Sequence, residues 1–133
     1  MFRTANAYGG VSARYRTIDM SSRVEGASPH RLVAVLFEEV LASIEAAQAA
    51  GRQDNFAKRA ERQNRAISIL HALEASLDFE KGGEIATGLS SIYREARRLI
   101  ALPAQDGRYE AMEQARAMLA DIASAWESIG GKR

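Results

Sequence analysis

The chain has no cysteine and only two prolines among its 133 residues. Without cysteine there is no disulfide framework, no thiolate zinc or iron–sulfur site and no cysteine nucleophile, and the composition suits a reducing compartment. No apolar run approaches the ~18 residues needed to cross a bilayer. Residues 1–27 lack the apolar core of a signal peptide, so the expectation is a cytoplasmic protein with no stable membrane insertion. Neither sign of charge dominates, since 18 basic residues face 17 acidic ones. Arg3, Arg14, Arg16 and Arg23 outweigh Asp19 and Glu25 in the first 27 residues, and the remainder is close to neutral. That leaves no strongly basic field of the kind a nucleic-acid binder uses.

Alanine is abundant instead, and alanine costs least to fix in a helix. With 47% hydrophobic and 26% charged residues, the chain reads as one globular all-α domain. Residues 1–27 form an arm: Gly9, Gly10 and Gly26 interrupt every apolar pattern, while Tyr8, Tyr15, Ile18 and Met20 give it something to bury. Residues 28–133 form the bundle. Ser28 is a suitable N-cap and Pro29 suits the first helical position. The first helix then runs to about Ala50, with Gly51 as its stop. A second helix runs from about Asp54 to Leu77, with Phe56, Ile67, Leu70, Leu73 and Leu77 facing inward. Gly82-Gly83 reads as a tight turn before a third helix carrying Ile85, Leu89, Ile92, Ala96 and Leu99. Pro103 to Gly107 forms a loop, and Met112, Ala115, Leu119, Ile122, Trp126 and Ile129 mark a fourth helix. Short loops between helices of this length predict an antiparallel up-down-up-down four-helix bundle.

The first helix is greasier than the rest. Leu32, Val33, Leu36, Phe37, Val40, Leu41 and Ile44 span about 180° of its circumference, and Val35 lies beyond, whereas the third and fourth helices show stripes of about 120°. Either this helix is simply central, or its excess surface is covered by the arm until a partner replaces it.

Candidates for chemistry are few. His30 and His71 stand without cysteine or a Glu-x-x-His pair, so no metal site and no cofactor are expected. His71 offers a phosphotransfer reading, which Glu74 one turn later opposes by repelling an incoming phosphate. Gly82-Gly83 lacks the Lys-Ser or Lys-Thr of a phosphate loop. Lys58, Arg59, Arg62 and Arg65 on the second helix, and Arg94, Arg97 and Arg98 on the third, form basic faces. Interleaved Glu61 and Glu95 make these ordinary solvated faces, with no aromatic residues for base stacking. A basic nucleic-acid-binding bundle is therefore the third reading, behind a binding module and a phosphotransfer protein.

Two stretches carry a more specific signal. Ala27-Ser28-Pro29-His30-Arg31-Leu32-Val33 is followed by Leu36-Phe37, and Ser76-Leu77-Asp78-Phe79-Glu80-Lys81-Gly82-Gly83-Glu84-Ile85-Ala86 is followed by Leu89 and Tyr93. With Tyr8 and Ala125-Trp126, they resemble the flagellar secretion chaperone FliS family, the flagellin export chaperones. The resemblance implies a cytoplasmic four-helix bundle without catalytic activity. It also implies binding of the C-terminal segment of flagellin, prevention of premature polymerisation and delivery to the flagellar export gate, by a monomer or weak dimer. Leu32, Leu36, Phe37, Ile85, Leu89 and Tyr93 are the candidate groove residues, with Tyr8 and Tyr15 as groove cover. Each aliphatic candidate stands equally well as plain bundle core, whereas Phe37 and Tyr93 sit at the margins of their stripes.

Overall fold

A computed structural model describes Gly26, residues 28–103 and residues 110–130. Four helices follow in order: α1 (Pro29–Arg52), α2 (Phe56–Ala75), α3 (Phe79–Ala101) and α4 (Glu110–Gly130), with no strand among the described residues. The arm proposed over residues 1–27 lies outside the described residues, apart from Gly26. Three helix starts share one chemistry. Ser28 Oγ accepts from the Arg31 amide at 3.1 Å, Asn55 Oδ1 from Lys58 at 3.2 Å and Asp78 Oδ1 from Lys81 at 3.0 Å. Each cap satisfies a backbone N–H that has no partner within its own helix.

Cross-helix contacts set the directions. Glu39 of α1 meets Arg65 of α2 at 3.3 Å, Gln63 of α2 donates to the Ile100 carbonyl of α3 at 2.7 Å, and Gln48 of α1 donates to Glu113 of α4 at 3.0 Å. At the other end His30 pairs with Trp126. Helices adjacent in this ring therefore run antiparallel, and α1 packs most extensively on α2. Ser43, Ala47, Ala50 and Gly51 of α1 are all buried, and their small side chains let a neighbouring backbone approach closely.

The core runs along the bundle axis through Phe37, Val40, Ile44, Leu70, Leu73, Tyr93, Ile100 and Leu119. Phe37 and Tyr93 come from diagonally opposed helices and meet at its centre, their rings 6.4 Å apart and tilted by 53°. Several boundaries differ from the expectation. Gly51 stays inside α1, and Asp54 (φ 58°) supplies the left-handed residue beyond the helix end. The Gly82-Gly83 break stands where the sequence placed it, but one helical turn precedes it. α3 starts earlier, at Phe79, and Gly83 (φ 50°, ψ −125°) kinks it after one turn. Phe56, Ile85 and Ile129 were expected in the core and are 56%, 75% and 56% exposed. All three lie near helix ends, where no facing helix reaches far enough to cover them.

The α2–α3 seam is tied by one carboxylate. Glu74 accepts from Ser90 Oγ at 2.6 Å, Arg97 at 2.7 Å and Arg94 at 3.0 Å. These donors, led by Ser90 and then Arg97, hold its carboxyl down at about 2 against an ordinary 4.5. A carboxyl depressed by folding stabilises the native state above its unfolded pKa and loses that contribution as pH falls through the folded value.

Two predictions follow from this architecture. Glu74→Gln should lower the melting temperature at pH 7 and flatten the loss of stability between pH 4.5 and 2. Glu113, held down to about 2 by Arg116 and Gln48, leaves a residual slope in the same range. In urea titrations, Gly83→Ala should cost roughly 1–3 kcal/mol, because only glycine adopts that backbone conformation without strain.

Candidate functional site

The wide apolar arc of α1 resolves into three parts. Its middle, Phe37, Val40 and Ile44, is sealed in the core. Its two edges are half-buried and line clefts on either side of the helix. Leu41 lies with Ala34, Phe37 and Ala123 in a cleft of about 260 Å³ between α1 and α4, where Glu38, Ser124 and Glu127 supply the polar lining. Leu36 lies with Ile69 and Ala72 in a cleft of about 420 Å³ between α1 and α2, lined otherwise by Glu61, Asn64, Arg65 and Ser68. The third part is Val35, which is fully buried yet lies outside the core cluster.

The six candidate groove residues divide by position in the bundle. Leu32 is 37% exposed and Ile85 is 75% exposed. Leu36 and Leu89 are half-buried against the core. The helix directions place Leu32 and Ile85 toward the end of the bundle where α1 and α3 begin, and Leu36 and Leu89 nearer its middle. Phe37 and Tyr93 are different, each only 2% exposed. A position at the margin of a helical stripe pointed to a groove, but the margin of α1 and the margin of α3 face each other across the bundle diagonal. They are core side chains that support the surface from beneath. Burial also pushes the Tyr93 hydroxyl up to about 12. Tyr8 and Tyr15 lie outside the described residues.

Around this end stand further exposed apolar side chains that helical periodicity assigned to the core or passed over. Phe79 opens α3 at 51% exposure, and Ile129 closes α4. The break at Gly83 sets the first turn of α3, which carries Phe79, apart from the remainder, and Ile85 lies just beyond it. The Gly82-Gly83 pair signalled the break, though not the single helical turn that precedes it.

The basic faces change character in the structure. Arg65 reaches Glu39 on α1 rather than Glu61 on its own helix, and Arg97 and Arg94 converge on Glu74. Arg62 and Arg97 keep only 18% and 17% of their side chains exposed. Arg65, Arg94 and Arg97 are thus spent on interhelical ties, whereas Arg62 and Arg98 meet Glu61 and Glu95 of their own helices. His71 is exposed. No group of three metal-ligating side chains occurs among the described residues, and no described helix is long and apolar enough to cross a membrane.

A family model described as flagellar protein FliS matches residues 11–133. The chain is 35% identical to the flagellar secretion chaperone FliS of Salmonella typhimurium over 124 residues, covering 92% of this chain and 91% of that protein. It is 27% identical over 120 residues to the FliS chaperone of Vibrio cholerae, covering 90% and 88%. It is also 28% identical over 118 residues to the chaperone FliSB of Pseudomonas aeruginosa, covering 87% and 92%.

Burial separates the candidate residues experimentally. Phe37→Ala should cost roughly 3–5 kcal/mol in denaturant titration, as a large core aromatic lost to a cavity. Ile85→Asp should leave the midpoint within about 0.5 kcal/mol of the parent, as an exposed position does.

Proposed function

We propose, from the premise that this chain belongs to the FliS family of flagellar proteins, that it acts as an export chaperone for flagellin. It binds the C-terminal segment of unpolymerised flagellin, blocks premature polymerisation, and assists delivery to the export gate of the flagellar secretion apparatus. No catalytic step is needed for this work.

The observation that carries the reading is the set of aliphatic side chains left open at one end of the bundle. Leu32 and Ile85 are exposed there, and Leu36 and Leu89 are half-covered nearer the middle. Their companions Phe79 and Ile129 widen the same end. A segment that is disordered alone and helical in its polymer needs an apolar face covered until it assembles, and a surface of this kind covers it by accepting an amphipathic helix. Ordering the guest spends roughly 2–5 kcal/mol of the gross interaction, which keeps the complex separable. In this reading residues 1–27, with Tyr8 and Tyr15, cover part of the surface before the guest arrives.

Calorimetry with a peptide of the flagellin C-terminus tests the proposal. The parent chain should bind, and the pair Leu32→Asp and Ile85→Asp should weaken binding at least about tenfold, or 1.4 kcal/mol, with an unchanged helical spectrum. No binding by the parent chain would overturn the reading. Deleting residues 1–24 should leave affinity unchanged or raised; binding abolished in a folded deletion would refute the cover.

A further inference from the structure

His30 lies in the first turn of α1, and Trp126 lies one turn from the end of α4. Their contact is reciprocal. His30 Nε2 bonds to the Trp126 carbonyl at 2.7 Å, and Trp126 Nε1 donates to the His30 carbonyl at 2.9 Å. The two rings stack with centroids 4.6 Å apart and planes within 7°. A carbonyl only accepts, so Nε2 carries the ring proton. Separating these two helix ends breaks both hydrogen bonds and the stack together.

Among the described residues, the end of α4 has few fully buried side chains. Its buried side chains are Met112, Ala115 and Leu119, and none of the described side chains beyond Leu119 is fully buried. Ile122, Ala123 and Trp126 rest half-buried against the core. The α1–α4 cleft adjoins this stretch, where Leu41 is half-buried and Phe37, already covered, forms part of the floor. A segment with few buried contacts and a single cluster of polar ties opens at lower free energy than the core does.

We propose that residues 120–130 of α4 form a flap latched to α1 by the His30–Trp126 pair. Releasing the latch widens the α1–α4 cleft, so that a guest helix seats an apolar side chain against Phe37 and Leu41. The guest is the flagellin segment, so this second half rests on the function proposed above. The latch holds the flap down in the free chaperone, and guest binding spends part of its energy on opening it.

Hydrogen exchange and peptide calorimetry on the full chain test the device. In His30→Ala the amides of residues 120–130 should exchange at least about tenfold faster, the effect of losing the Nε2 hydrogen bond and the ring stack, while the bond from Trp126 to the backbone carbonyl of residue 30 remains available. Amides in the middle of α1 and α2 should keep their parent rates. Trp126→Phe retains the stack but loses one donor, and should fall between parent and His30→Ala. Both variants should bind the flagellin peptide several-fold more tightly, because the open state is already populated. Unchanged exchange over residues 120–130 overturns the flap. Faster exchange with equal or weaker affinity overturns the latch, leaving a structural staple. If the parent chain binds no flagellin peptide, the guest half falls with that reading, and exchange alone decides the flap. If His30→Ala loses its helical spectrum, Trp126→Phe decides both points.

Discussion

Phe37 and Tyr93 meet across the diagonal of the bundle, and the remaining packing is arranged around that contact. Two aromatic rings from opposed helices fill the centre where four backbones cannot approach one another. The other core side chains then line up above and below, from Leu73 to Ile100 and Leu119. Because α1 turns the middle of its apolar arc toward Tyr93, the edges of that arc point sideways. Leu36 and Leu41 are carried into clefts on either side, half-covered, with volume left beside them. The apolar surplus of α1 is thus neither wholly sealed nor wholly open. The geometry that stabilises the core also creates the vacancies.

Electrostatics settle a different question. The arginines of α2 and α3 suggest a basic surface when they are counted along the chain. In three dimensions Glu74 draws in Ser90, Arg94 and Arg97, and Glu39 draws in Arg65. Charge that would otherwise advertise for a polyanion is used to fasten α3 to α2 and α2 to α1. The pairs at Arg98–Glu95 and Arg116–Glu113 stay on their own helices and are screened by solvent.

Of the exposed large apolar side chains among the described residues, Leu32, Phe79, Ile85 and Ile129 lie toward the end where α1 and α3 begin, and Phe56 and Leu102 lie at the other. The end of the bundle where α1 and α3 begin has a kinked helix start at Gly83, and α4 reaches it with no fully buried side chain among the described residues beyond Leu119. Leu32, Ile85, Phe79 and Ile129 are exposed there. The proposed guest surface lies where packing thins out, and a surface that must hold a guest and release it needs both apolar area and looseness.

Much of the architecture was legible in the chain itself. Ser28-Pro29 marked a helix start that the structure keeps, and the absence of strand signals and the helical spacing of Leu70, Leu73, Met112, Ala115 and Leu119 were sufficient for four helices with a shared core. The family resemblance was legible in the Ser-Leu-Asp…Gly-Gly-Glu-Ile-Ala block. Periodicity reports which face of a helix is apolar, a property local to that helix. It does not report how far the neighbouring helix extends, and so Phe56, Ile85 and Ile129 looked buried while Phe37 and Tyr93 looked marginal. Nor does spacing along one helix pair Glu74 with Ser90 and Arg97, or His30 with Trp126, because those partners lie 16 to 96 positions apart. Helix identity and the apolar stripes were determined by the sequence alone; which edges stay open, which charges are consumed and which ends are latched were decided only when four helices of unequal reach packed together.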